Sequence, residues 1–113
     1  MNYSVHEDQG VTIITLDGSI LGGPEANTLN NELHRLIGLG KKAVIVDLAG
    51  VSLMNSTGLG LLIGGYTALK NAGGTFALSG ANENIRNLIR ITKLQTIFHS
   101  YPTLAEAIAA ITA

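Results

Sequence analysis

The chain has 113 residues and a mass of 11.8 kDa, one domain's worth; scaling leaves about 5,900 Å² exposed of about 17,000 Å² in the unfolded chain, so one core can form and a two-domain enzyme is excluded. With no Cys, disulfide scaffolds, zinc ribbons and thiol nucleophiles are excluded. Seven Lys and Arg against eight Asp and Glu give a net charge of −1, which lacks the basic footprint of a nucleic-acid binder.

Along the chain, Tyr3 to Glu7 reads as a strand that turns through Asp8-Gln9-Gly10 into the β-branched run Val11 to Asp17. Pro24, after Gly22-Gly23, opens a helix without losing a needed N–H, and Leu29, Leu33, Leu36 and Ile37 recur at helical spacing until Gly38 and Gly40. Ala43 to Leu48 is a near-continuous apolar strand. A loop from Ala49 to Ser56 follows, then a second helix from about Thr57 to Ala72 with an inward stripe of Leu59, Leu62, Ile63, Tyr66 and Leu69. Thr75 to Ser79 is a strand, Asn82 caps a third helix with Ile85, Leu88 and Ile89 inward, and Ile97 to His99 is a short edge segment. Thr103 and Glu106 form a capping box at the head of a last helix. The order predicts an α/β sandwich with a mixed, mostly parallel sheet of four to five strands and about four helices.

Only 13% of the residues are charged, about half the usual share. The surface is therefore built largely of Ala, Gly, Ser, Thr and Asn, and it is either simply a weakly charged surface or one with an apolar part that meets a partner. No run approaches the roughly 18 apolar residues of a membrane span. The first eight residues have no basic region followed by an apolar stretch, so the expectation is a cytoplasmic protein without a signal peptide or direct membrane insertion.

The stretch Val46-Asp47-Leu48 to Ser56-Thr57-Gly58-Leu59-Gly60 carries the most chemistry. The hydroxyls of Ser56 and Thr57 stand where a helix begins, where free N–H groups favour negative charge. A phosphoryl group on Ser56 fits that position and adds about −1.5 to −2 charges; equally, Ser56 or Thr57 can be no more than the helix N-cap. Gly64 and Gly65 suggest close packing on the sheet, and Gly58 and Gly60 either packing or close approach by a partner or ligand. Enzyme motifs fail: two before Ser56 stands Met54, not the Gly of a nucleophile elbow. The run Gly73 to Gly80 lacks a P-loop ending. His6, His34 and His99 have no metal-ligand spacing, so neither catalytic residues nor a metal or cofactor is expected.

The same stretch resembles the signature of STAS domains, in particular bacterial anti-sigma factor antagonists. The likeness extends to Leu16-Asp17-Gly18, Lys70 to Gly74, Asn84 to Leu88 and Tyr101 to Ala107, almost the whole of a single domain over residues 1–113. The resemblance implies a regulator that binds an anti-sigma factor with serine kinase activity while unphosphorylated. That kinase switches it off by phosphorylating Ser56, and a phosphoserine phosphatase resets it. The partner surface it implies comprises Asn55, Ser56, Thr57, Gly58, Leu59 and Gly60 with Leu21 and Gly22, on a monomer or weak dimer. Relatives often carry Asp where this chain has Asn55 and an acidic residue where it has Leu21; Asp47 and Asp17 are the candidates to compensate. An alternative implied by the same resemblance is a non-catalytic STAS subunit, or scaffold, of a membrane (lipid) transport assembly.

Overall fold

The computed structural model describes residues 2–21 and 24–112, with residues 24–26 described by their backbone alone. Strands β1 (Asn2–Asp8) and β2 (Val11–Ile20) pair antiparallel. Between them Gln9 (φ 54°) and Gly10 (φ 80°) are both left-handed, as in the two-residue hairpin turn whose twist matches that of its strands. Then follow α1 (Pro24–Gly38), β3 (Ala43–Met54), α2 (Ser56–Asn71), β4 (Thr75–Ser79), α3 (Glu83–Ile91), a 3-10 turn at Leu94–Thr96, β5 (His99–Tyr101) and α4 (Leu104–Thr112). The five strands lie in chain order, β1-β2-β3-β4-β5, and every pair after the first is parallel. The expected mixed sheet with four helices is present.

This order dictates the layers. Each parallel connection steps to the next strand in the same direction, and such crossovers are right-handed, so α1, α2 and α3 share one face. Alternate residues on that face, Ile14, Leu16, Val44, Val46, Leu48, Phe76 and Leu78, join Leu29, Leu33, Leu59, Leu62, Leu69, Ile85 and Ile89 in the main core. The other face carries Val11, Ile13, Ile45 and Ala77, and α4 covers it with Ala107 and Ile108. Thr103 caps α4 by accepting the Glu106 N–H at 3.1 Å. The folded chain exposes 5,723 Å², close to the roughly 5,900 Å² expected for its mass.

Four expectations need correction. Residues 49–54 are not a loop: β3 continues to Met54, still paired with β2. Thr15 faces Asp47, Asp17 faces Gly50 and Ser19 faces Leu53, so β3 supplies two residues more than β2 across this stretch. Two bulges of this kind bend a strand pair and break its in–out alternation, which is why the segment reads as irregular. The last strand is His99–Tyr101 rather than Ile97–His99, because Phe98 turns into the core instead. Ile63 faces outward at 37% exposure. Gly64 also faces open space, whereas a Cβ on Gly65 would meet Leu33 Cδ1 at 2.7 Å, so of these two glycines Gly65 does the packing.

Asn82 joins α3 to the β2–β3 extension. Its side-chain oxygen accepts the Ile85 N–H at 2.9 Å, the expected cap, while its amide nitrogen donates to the carbonyls of Val51 and Ser52, both at 3.2 Å. Asn82→Ala is expected to lower stability by about 2 kcal/mol, from the cap and the two stranded carbonyls. Asn82→Asp keeps the cap but not the donor and is expected to fall between. Urea unfolding at constant m reads both.

Candidate functional site

Helix α2 begins beside the end of β2. Asn55 is extended (φ −105°, ψ −177°), and its side-chain oxygen accepts the Gly58 N–H at 2.8 Å. The first intrahelical bond runs from the Leu59 N–H to the Asn55 carbonyl at 2.9 Å. Asn55 is therefore the N-cap, and the expectation that Ser56 or Thr57 serves as the cap is overturned. An Asn carboxamide reaches the third N–H as a Ser oxygen would, and the two hydroxyl residues move to the first two helical positions. Both are exposed.

Gly58 explains how the start of the helix is held. A Cβ there would lie 2.0 Å from the Ile20 carbonyl oxygen and 2.8 Å from its carbon. The helix thus rests directly on the backbone of β2, and the Asn55 N–H and side-chain amide approach the Ile20 and Leu21 carbonyls at 3.4 Å each. Asn55→Ala is expected to cost about 1 kcal/mol and Asn55→Asp less than about 0.5 kcal/mol, since Asp caps equally well and its charge suits the helix dipole. Thermal unfolding of the two variants distinguishes these outcomes.

Helix α2 brings no charge of its own to the surface around its start. The helix has no acidic or basic residue from Ser56 to Leu69, Lys70 being the first. Its outward residues are Ser56, Thr57, Gly60, Ile63, Gly64 and Thr67. Two large apolar side chains from the neighbouring strand ends add to them, Leu21 at 46% and Leu53 at 50% exposure. No side-chain amphipathy tells the helix apart from its surroundings: it is apolar on the inside and neutral on the outside. A surface of this kind favours a desolvated contact, and a charge placed within it loses water without gaining a partner.

Of the expected contact residues, the structure brings Asn55, Ser56, Thr57, Gly60 and Leu21 to one exposed surface. Gly58 and Leu59 do not belong to it. Leu59, at 2% exposure, packs in the main core, and Gly58 is occupied against Ile20, so both support the surface from beneath. Gly22 lies outside the described residues. Asp47 does not take the place of the absent carboxylates: it accepts the Ala49 N–H at 3.1 Å and the Ser79 hydroxyl at 3.2 Å. Asp17 lies against Gly50, where a Cβ would stand 1.8 Å from its Oδ1. Sequence reasoning missed Leu53 and Ile63. Ile63 lies seven residues after Ser56, a spacing that returns to the same helix face, whereas Leu53 is turned outward by the bulge and left no periodic signal.

The family model for the STAS domain matches residues 2–107. An anti-sigma-B factor antagonist of Staphylococcus epidermidis is 42% identical over 60 residues, 53% of this chain and 56% of that protein. The chain's matches span about three-fifths of the length of such curated relatives. Among solved structures, an anti-sigma factor antagonist from Mycobacterium paratuberculosis is 27% identical with a TM-score of 0.86, covering 99% of this chain and 94% of that one. The Bacillus cell fate determinant SpoIIAA in its phosphorylated form shares the fold at 20% identity and a TM-score of 0.75, covering 97% and 99%. No described helix is long and apolar enough to cross a membrane.

Proposed function

We propose, from the premise that the chain belongs to the STAS domain family, that it is an anti-sigma factor antagonist switched by phosphorylation of Ser56. Unphosphorylated, it binds an anti-sigma factor through the surface around the start of α2 and thereby frees a sigma factor. The bound anti-sigma factor is also a serine kinase, and a phosphate on Ser56 ends the contact until a phosphatase removes it. The reading makes the chain a cytoplasmic regulator and a kinase substrate, not an enzyme.

The observation that carries this reading is the placement of Ser56: exposed, at the first position of a helix that carries no charge before Lys70. A phosphate there faces the positive end of a helix dipole and free N–H groups, so the fold tolerates it. The partner does not, because its contact matches a neutral hydroxyl. Asn55 also supports the reading, since it holds the helix start as an Asp would, and Ser56 keeps its place without the carboxylate common in relatives.

Incubation with ATP and each candidate anti-sigma kinase of the source organism, followed by peptide mass spectrometry, tests the proposal. Phosphate on Ser56, abolished by Ser56→Ala, is the expected result. No phosphate from any kinase, together with stable binding to a membrane transporter component, overturns it in favour of a transport scaffold.

A further inference from the structure

Helix α3 borders a cleft of about 320 Å³ lined by Ala81, Ile89, Tyr101 and Pro102 and by the polar groups of Arg86, Arg90, Gln95 and Ser100. It opens beyond the carboxyl ends of β4 and β5. We propose that this cleft is a binding site for a small amphipathic anion: a molecule with one carboxylate or phosphate head and a short apolar tail.

Three observations support it, all independent of the reading of Ser56. The first is charge. Two of the chain's seven basic residues stand four apart on α3, which places them on one helix face, and both line the cleft, whereas no Asp or Glu does. The second is the state of those guanidinium groups. Arg86 donates to the Ala81 carbonyl at 2.7 Å and Arg90 to the Asn87 side-chain oxygen, so each is held by a neutral acceptor. Among the described residues the ion pairs lie elsewhere, at Arg35–Glu32 and Lys41–Glu7. A guanidinium has five donors in a planar fork that fits a carboxylate or phosphate, and a single bond to a neutral acceptor leaves most of them to a ligand. The third is the lining. Ala81 and Ile89 are buried core residues that form an apolar floor, and the Tyr101 and Pro102 rings complete it. A volume of this size lies at the small end of ligand sites, which span about 300–1,000 Å³, and it fits a short tail rather than a polymer.

In the bound arrangement the head sits between Arg86 and Arg90, Gln95 and Ser100 offer further polar contacts, and the tail lies on Ile89 and Pro102. Octanoate serves as the probe and octanamide, which has the same tail and a neutral head, as its control. Titration of the full chain, followed by backbone amide shifts, is expected to give saturable octanoate shifts confined to Ala81, Ile89, Gln95, Ser100 and Tyr101. Octanamide is expected to bind at least about tenfold more weakly, the loss typical of a charged hydrogen bond. Arg90→Gln and Arg86→Gln are each expected to weaken octanoate about tenfold, while Lys42→Gln, an exposed cation outside the cleft, leaves it unchanged. Octyl phosphate in place of octanoate distinguishes the two head groups.

Equal binding of octanoate and octanamide, shifts spread over the surface without saturation, or unchanged affinity in the Arg86→Gln, Arg90→Gln double variant overturns the proposal. The comparison of the two probes uses the native chain, so it decides the matter even where Arg86→Gln perturbs α3. Ser56→Ala is expected to bind octanoate as the native chain does, which separates failure of this site from failure of the phosphorylation reading.

Discussion

Ser56→Asp is expected to bind the anti-sigma partner at least about a hundredfold more weakly than the native chain, while Ser56→Ala binds with unchanged affinity. A hundredfold is about 2.8 kcal/mol, at the lower edge of the roughly 3–5 kcal/mol that an unpaired charge costs when it is enclosed. Helix α2 offers no compensating cation before Lys70, and its described neighbours Leu21 and Leu53 are apolar. Folding stability should stay within about 0.5 kcal/mol, because a carboxylate in the first turn is favoured by the helix dipole. Isothermal titration with the purified partner, alongside urea unfolding, separates the two quantities. Native-like affinity in Ser56→Asp sinks the switch.

Gly58→Ala is expected to be the most damaging small substitution in α2. The added Cβ would stand 2.0 Å from the Ile20 carbonyl oxygen and 2.8 Å from its carbon, and both of those atoms are backbone, so no side chain can swing aside. Either α2 lifts from β2, breaking the Asn55 contacts that seat it, or the β2 end moves. Such overpacking costs about 3 kcal/mol, which for a domain of this size lowers Tm by more than about 10 °C. Gly60→Ala is the matched control. Nothing lies within 4 Å of its would-be Cβ, so it should gain about 0.5–1 kcal/mol from helix propensity. Should Gly60→Ala also weaken partner binding, the added methyl has met the partner and not the fold. Equal thermal stability of the two variants would show that α2 does not rest on β2 as described.

Much of this was legible beforehand, for identifiable reasons. An element is legible when it has one buried and one wet side, as α1 and α3 have, or an apolar run buried on both faces, as Val11 to Leu16 of β2 and the first half of β3 have, and each of these meets one condition or the other. The second half of β3 does not. Val51 and Met54 are buried, with Ser52 and Leu53 exposed between them, a spacing of three that a bulge produces and that breaks the alternation of a strand. Ser56 was identifiable from its neighbours, but its role at the helix start was not. Asn55, Ser56 and Thr57 are all competent caps, and the choice among them depends on the approach to Ile20 that Gly58 permits. The cleft at α3 had no sequence signature, because its walls come from the link between β4 and α3, α3 itself, the 3-10 turn and β5 with the residue after it.

The order of the strands also has a bearing on synthesis. Because the sheet is laid down in chain order, Thr12 meets Val44 and Val44 meets Phe76 at the same separation of 32 residues, and no late strand has to thread between earlier ones. A chain leaving the ribosome can therefore complete each strand–helix–strand unit on the one before it, with the hairpin as the first template. Only α4 must wait. It closes the second face after β5 is in place, so a nascent chain halted before Leu104 presents Val11, Ile13, Ile45 and Ala77 to water. That apolar strip is the point at which unfinished copies of this protein would first stick to one another or to a chaperone.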